Sequence, residues 1–209
     1  NHRLLLSRDR VGMEPLYYSQ DDSTFIFASE VKALLRMRKK RRINFTSLHS
    51  CIVFGSVFSR AHLIEGIYEL RAGHNLIIDS QSKIPVIHKY WDRVFNITKH
   101  PFLFYENEFK RLLNEAVKKR LPSPSAKVGI SLSGGVDSTL ALGLVKESYS
   151  GPIEAYTAIA EGDASTERQD ARFAAKHFQV KHHEIFVSAY EAIQSLPKII
   201  WHMSEFSNR

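Results

Sequence analysis

Apolar and polar positions follow two different rhythms along this chain, and the change falls near Asp92. Before it, short apolar runs are broken by polar punctuation. Leu4 to Ser7, Phe25 to Ser29 and Asn75 to Asp79 read as strands, with Asp21-Asp22-Ser23 as a polar turn between the first two. Gly73-His74-Asn75 reads as the turn leading into Leu76-Ile77-Ile78, while Glu30 to Leu35 and Phe45 to Phe54 read as helical stretches. Strands interrupted by short helices make an antiparallel-looking α+β pattern.

Beyond Tyr90-Trp91-Asp92 the apolar spacing becomes helical. Glu106 to Leu121 places Phe109, Leu112, Leu113, Ala116 and Val117 on one face, and Pro122-Ser123-Pro124-Ser125 stops the helix. Strand Val128–Leu132, helix Ser138–Tyr149, strand Glu154–Ile159, helix Glu167–His177, strand His182–Val187 and helix Tyr190–His202 follow. Alternation at these lengths predicts parallel βαβ units. The helix from Ser138 is apolar on most sides early on, which predicts deep packing against the sheet.

Composition narrows the class. The 209 residues allow one large domain or two small ones, with 44% hydrophobic and 24% charged residues, an ordinary globular balance. No apolar run is long enough to span a bilayer, and the N-terminal apolar core is too short for a signal peptide. A single cysteine, Cys51, cannot form an internal disulfide, so a cytoplasmic location is expected, and the thiol itself reads as a buried or semi-buried one. The formal net charge of +7 suits an anionic ligand. Much of it lies in the run Arg36 to Arg42, which lacks interleaved aromatics and reads as a solvated linker rather than a nucleic-acid patch. The chain starts without Met in what reads as mid-strand, so the expectation is a piece of a longer protein.

The chemistry concentrates in Ser133-Gly134-Gly135-Val136-Asp137-Ser138, between an apolar strand and an apolar helix. Open parallel sheets bind ligands at the carboxyl ends of their strands. Gly134 and Gly135 permit close backbone approach, and the following helix offers free amides and the positive end of its dipole. Ser133, Ser138 and Thr139 add hydroxyls. Asp137 repels phosphate unless it holds Mg²⁺ that bridges to it. The bland alternative is a Gly-rich turn in which Asp137 or Ser138 caps the helix. The loop lacks the Gly-Lys-Ser/Thr of the mononucleotide P-loop and the Gly-x-Gly-x-x-Gly of dinucleotide folds, and its residues by themselves point to nucleotide binding without naming the nucleotide.

That loop resembles the pyrophosphate-loop ATPases. Arg8-Asp9-Arg10-Val11-Gly12-Met13-Glu14-Pro15-Leu16-Tyr17-Tyr18, Phe27 to Leu35, Glu65 to His74, Tyr90-Trp91-Asp92 and Phe109 to Ser138 are similar, in order, to segments of the glutamine-hydrolysing asparagine synthetases. The resemblance implies an α/β chain. Residues 1–93 would be the later part of an α+β N-terminal-nucleophile glutaminase-like domain. Residues 94–209 would be the first part of a parallel-sheet, adenine-nucleotide α-hydrolase-like synthetase domain. It implies that glutamine supplies ammonia, that ATP adenylates the side-chain carboxylate of aspartate, and that ammonia displaces AMP to give asparagine. Carried over, Ser131 lines the nucleotide site through its backbone, Ser133, Gly134, Gly135 and Ser138 hold pyrophosphate, Asp137 binds Mg²⁺, and Ala158, at the end of the next strand, contacts adenine. No membrane or nucleic-acid partner is implied, and a homodimer is left open.

Departures from the family pattern shape the expectation. The family's nucleophile is a cysteine at the very N-terminus, whereas this chain begins with Asn1 and the family's glutamine-binding segments would precede it; the later acidic loop with a second metal ligand is also missing, so this piece is expected to be inactive alone, with exposed sheet edges and poor solubility. Two readings compete with an asparagine synthetase: a relative that closes an amide ring (a β-lactam synthetase or macrolactam cyclase), and a catalytically dead nucleotide-binding module. Weaker signals remain. His182 and His183 should point to opposite faces of a strand and so not share a zinc ion. The loop Glu161 to Glu167, with Gly162, Asp163 and Thr166, either meets the ligand or lets Thr166 cap the next helix. Glu205 is assigned to the aspartate site by resemblance.

Overall fold

The computed structural model describes residues 3–21, 24–57, 61–79, 84–162 and 166–203. Asp22, Ser23, Asp163 and Glu205, singled out above, lie outside them. The chain divides into two compact units, residues 1–96 with 196–209, and residues 97–195.

The first unit contains two three-stranded antiparallel sheets. One orders β1 (Arg3–Ser7), β5 (His74–Asp79) and β6 (Pro85–Lys89); the other orders β3 (Phe25–Ala28), β2 (Tyr17–Gln20) and β4 (Ile67–Glu69). The strands that sequence reading missed, β2, β4 and β6, have 4, 3 and 5 residues, too short for alternation to stand out from the flanking polar turns. Helices α1 (Val31–Met37) and α2 (Phe45–Phe54) complete the unit; Asn44 caps α2 by accepting from Ser47 N at 3.2 Å, and Gly55 ends it in the left-handed region at φ 69°. Leu6, Tyr18, Leu70 and Leu76 form one core cluster and Tyr17, Val31, Leu34 and Ile67 another. Cys51 is buried in α2.

Arginines tie the loops of this unit. Arg8 donates to the carbonyl of Leu70 at 2.6 Å and pairs with Glu69 at 2.7 Å, while the Asp9 carboxylate accepts from the amides of Val11, Met13 and Glu14. The basic run is more than a solvated linker. Arg36 and Met37 finish α1, and Arg38 is half-buried, with its guanidinium bonding Ser19 Oγ and the carbonyls of Glu65 and Gly66. Arg41 donates to Leu35 O at 3.0 Å. Long side chains that reach backbone carbonyls do not betray themselves in a charge run.

The second unit is α3 (Phe102–Lys118) followed by β7 (Val128–Ser131), α4 (Val136–Ser148), β8 (Ile153–Ala160), α5 (Thr166–His177), β9 (Lys181–Val187) and the start of α6 (Ala189–Met203). Its three strands are parallel in the order β7-β8-β9, as the βαβ reading required. Leu132, Leu142, Ala155, Ala171, Ala174 and Ala175 form the core, so α4 and α5 cover the same face of the sheet. Two successive right-handed crossovers in one direction require that.

The helix expected at Ser138–Tyr149 is α4, and it does not sink into the sheet on most sides. Of the apolar residues in Val136–Ser148 only Leu142 is buried, while Val136 is 81% and Leu140 42% exposed; Tyr149, buried, is the C-cap. A single sheet face meets a helix along one stripe, and the early apolar cluster outnumbers that stripe. Similarly, Leu113, Ala116 and Val117 of α3 are half-buried, but Phe109 and Leu112 stand exposed, and α3 ends at Lys118, short of Pro122.

Because Leu142 is fully enclosed and Leu140 is not, their truncations should separate. Leu142→Ala is expected to cost about 2–5 kcal/mol of unfolding free energy and Leu140→Ala under about 1 kcal/mol, read from urea denaturation midpoints.

Candidate functional site

The loop leaving β7 is fixed before it turns. Leu132, 1% exposed, continues the ladder by donating to Tyr156 O at 2.8 Å, and its own carbonyl accepts from Thr157 Oγ1. Next, Gly134 takes φ 86°, in the left-handed region. A Cβ there would lie 2.3 Å from Glu167 O and 2.8 Å from Ala171 N, so the loop rests directly on the backbone of α5. Gly135 is different: its φ is −69°, and a Cβ would meet only Ser133 Oγ at 3.4 Å. Space is open on that side.

Gly135 is the N-cap of α4, without a side-chain capping bond, and Thr139 N donates the first intrahelical bond to Gly135 O at 3.1 Å. The amides of Val136, Asp137 and Ser138 therefore precede that ladder. Neither Asp137 nor Ser138 caps the helix, as the bland alternative supposed; they are the second and third helical residues. Ser138 Oγ lies 3.0 Å from Ser133 Oγ, accepts from Ser133 N at 3.2 Å and donates to Gly135 O at 3.1 Å. Two hydroxyls, three leading amides and a dipole end thus share one short loop.

Asp137 is exposed in the first turn of α4 and makes no ion pair among the described residues. No group of three His, Cys, Asp or Glu that could hold a metal occurs among those residues. A single exposed carboxylate beside leading helix amides fits a Mg²⁺ ion that takes the rest of its shell from a bound anion and water. Ser131 ends β7 opposite Tyr156, and Ala158, opposite Ile185, is third from the end of β8 rather than at its end. Both are exposed and lie on the sheet face away from α4 and α5. The structure brings Ser133, Gly134, Gly135, Asp137 and Ser138 together, with Ser131 and Ala158 on the adjoining face. A groove of about 490 Å³ along α4, lined by Gly134, Val136, Thr139, Leu140, Gly143 and Phe178, is apolar and offers little to a polyphosphate.

Sequence reading missed the groups that brace the loop. Arg168 and Arg172 of α5 both bond Glu184 of β9, with Arg168 Nη2 at 3.0 Å and Arg172 Nη2 at 2.7 Å. Hydrogen bonds from Arg172 and then Arg168 hold the Glu184 carboxyl down to about 2. On the opposite face Glu154 accepts from Tyr156 OH at 2.8 Å and meets Lys127 and His183, which also brings it to about 2. His182 turns instead to Thr157, so the adjacent histidines do face opposite sides. Thr166 is the first residue of α5 rather than its cap, and Glu167 lies in the first turn. The spacing of Arg168 and Arg172, one helical turn apart, was the available signal, but their partner is distant in sequence.

Among the described residues, no helix is long and apolar enough to cross a membrane. Residues 108–209 match the family described as asparagine synthase, and residues 1–91 match the glutamine amidotransferase domain. A Methanocaldococcus jannaschii protein provisionally named asparagine synthetase (glutamine-hydrolyzing) 2 is 28% identical over 202 residues, covering 95% of this chain and 39% of its own length. Asparagine synthetase (glutamine-hydrolyzing) 3 of Bacillus subtilis is 31% identical over 186 residues, covering 84% of this chain and 28% of its own. The chain thus spans well under half the length of these curated relatives. Among solved structures, an NMN synthetase from Francisella tularensis aligns with TM-score 0.36 and 24% identity over 44% of this chain and 40% of its own, too loose a likeness to carry an argument.

Gly134→Ala should cost roughly 2–4 kcal/mol of stability, from backbone strain plus a forced clash. Gly135→Ala should cost about 1 kcal/mol or less, as at other N-caps. Thermal melts of both variants check this. Glu184 gives a pH signature. Its folded value of about 2 lies below the ordinary 4.5, so its contribution is present above pH 4.5 and lost as pH falls toward 2. Urea midpoints measured across that window should fall less steeply in Glu184→Gln than in the wild type.

Proposed function

We propose that this chain, which belongs to the asparagine synthetase family, binds ATP by its pyrophosphate at residues 133–138 for adenylation of a carboxylate. The carrying observation is that the amides leading α4 and the hydroxyls of Ser133 and Ser138 converge beside Gly135, where a Cβ would meet only Ser133 Oγ. In this reading Ser133, Gly134, Gly135 and Ser138 hold the pyrophosphate, Asp137 holds Mg²⁺, and Ser131 and Ala158 line the nucleoside side. When bound, Mg²⁺ neutralises the charge that gathers on the leaving pyrophosphate.

The chemistry assigned to the whole protein is amide formation. The carboxylate of aspartate attacks the α-phosphorus of ATP, and pyrophosphate leaves with its charge taken up by the loop amides. Ammonia, released from glutamine in a separate domain, then attacks the acyl carbon and AMP departs. Nothing in this sequence of steps requires a covalent bond to the protein at the loop, and positioning with electrostatic stabilisation carries the catalysis. Cys51 lies buried in α2, and this reading gives it no role in glutamine hydrolysis. Two domains are proposed, residues 1–93 of glutaminase type and residues 94–209 of synthetase type, in the cytoplasm, with aspartate and glutamine as substrates.

Calorimetric titration with ATP and Mg²⁺ tests the reading. Binding should depend on the metal, and Asp137→Asn should weaken it by about tenfold or more, as loss of a charged contact does. Release of AMP with aspartate, and not with other acids, identifies the acceptor. ATP binding without AMP formation would point to the dead nucleotide module, and no ATP binding at all would overturn the proposal.

A further inference from the structure

One buried hydroxyl stands directly behind the loop without belonging to it. Thr157 is 8% exposed in the row of β8 that faces α4 and α5. Its Oγ1 donates to the carbonyl of Leu132 and lies 2.8 Å from His182 Nε2 on β9. A hydroxyl has a single proton; with that proton given to the carbonyl, Thr157 can only accept from the ring. The ring nitrogen facing it therefore carries hydrogen. Burial also pushes the pKa of His182 down, which keeps the imidazole neutral near neutral pH.

The Leu132 carbonyl and the Ser133 amide belong to one planar peptide unit. Its oxygen is held by Thr157 and its N–H donates to Ser138 Oγ at 3.2 Å. Rotating this plane would break both bonds, leave the buried carbonyl unpaired and swing the Ser133 amide and hydroxyl away from the loop's centre.

We propose that Thr157, oriented by His182, is a positioning residue that locks the peptide plane between Leu132 and Ser133, keeps Ser133 bonded to Ser138, and so holds the loop in the shape that meets the bound polyphosphate. The polyphosphate part rests on the ATP reading above; the hydrogen-bond relay does not.

The test compares Thr157→Val, nearly the same shape without the hydroxyl, with Thr157→Ser, which keeps it. Two quantities are read in the protein: hydrogen exchange of the Ser133 amide, and calorimetric affinity for ATP with Mg²⁺ against adenosine. Thr157→Val is expected to speed exchange and weaken ATP binding by about tenfold each while adenosine binding stays within about twofold, and Thr157→Ser should behave like wild type. His182→Phe, which fills the space without an N–H, should shift both readings in the same direction by about threefold, and it decides the matter if Thr157→Val does not fold. Unchanged Ser133 exchange in the folded variants overturns the inference, as does an equal loss of ATP and adenosine affinity, which would mean general loosening. A wild type that binds no ATP sinks the ATP reading, and the exchange rates still decide the relay.

Discussion

A backbone approach that only glycine allows governs the second unit. Gly134 lies against the first turn of α5 so closely that a single added carbon would overlap the carbonyl of Glu167. The loop between β7 and α4 is therefore seated on a neighbouring helix as well as hung from a strand. That seat depends in turn on α5 being held to β9, which Arg168 and Arg172 achieve through Glu184, and on the alanine contacts of Ala171, Ala174 and Ala175 with the sheet. Small residues on α5 let the helix approach the strands, and the approach brings its backbone within reach of Gly134.

The two glycines of the loop do different work. Gly134 is demanded by conformation and contact. Gly135 has an ordinary φ and open surroundings, so its value lies in what it leaves uncovered, the leading amides of α4. A fixed loop with uncovered donors is suited to an anion whose charge grows during reaction, because the donors need not reorganise when it does. The acidic Asp137 beside them fits a divalent ion that travels with phosphate better than a site built wholly from protein ligands.

The first unit is organised by different means. Short antiparallel strands are joined by loops whose carbonyls are taken up by Arg8 and Arg38, and whose amides at residues 11, 13 and 14 are taken up by Asp9. These residues sit in the segments that resemble the amidotransferase part of the family, which residues 1–91 match. Their role here is to satisfy loop backbone that no strand partner reaches. Exposed apolar residues on α3 and α6, among them Phe109, Leu112, Ile193 and Trp201, remain uncovered by the described residues of the chain.

What the sequence determined by itself was whatever rests on local periodicity and local backbone need. The order of β7 to α6 was legible because each element is long enough to show its repeat, and Ser133 to Ser138 stood out because glycines and hydroxyls at a strand end have few other uses. Family membership was legible for the same reason, since Arg8 to Tyr18, Glu65 to His74 and the loop lie in order along the chain. Only the tertiary structure decided which helix face was buried, that Arg38 and Arg41 grip backbone carbonyls, that Gly134 is pressed against α5, and that Thr157 reaches Leu132. Each of those depends on residues far apart in sequence meeting through strand register and helix packing, and a register is fixed by the whole core at once rather than by any stretch of it.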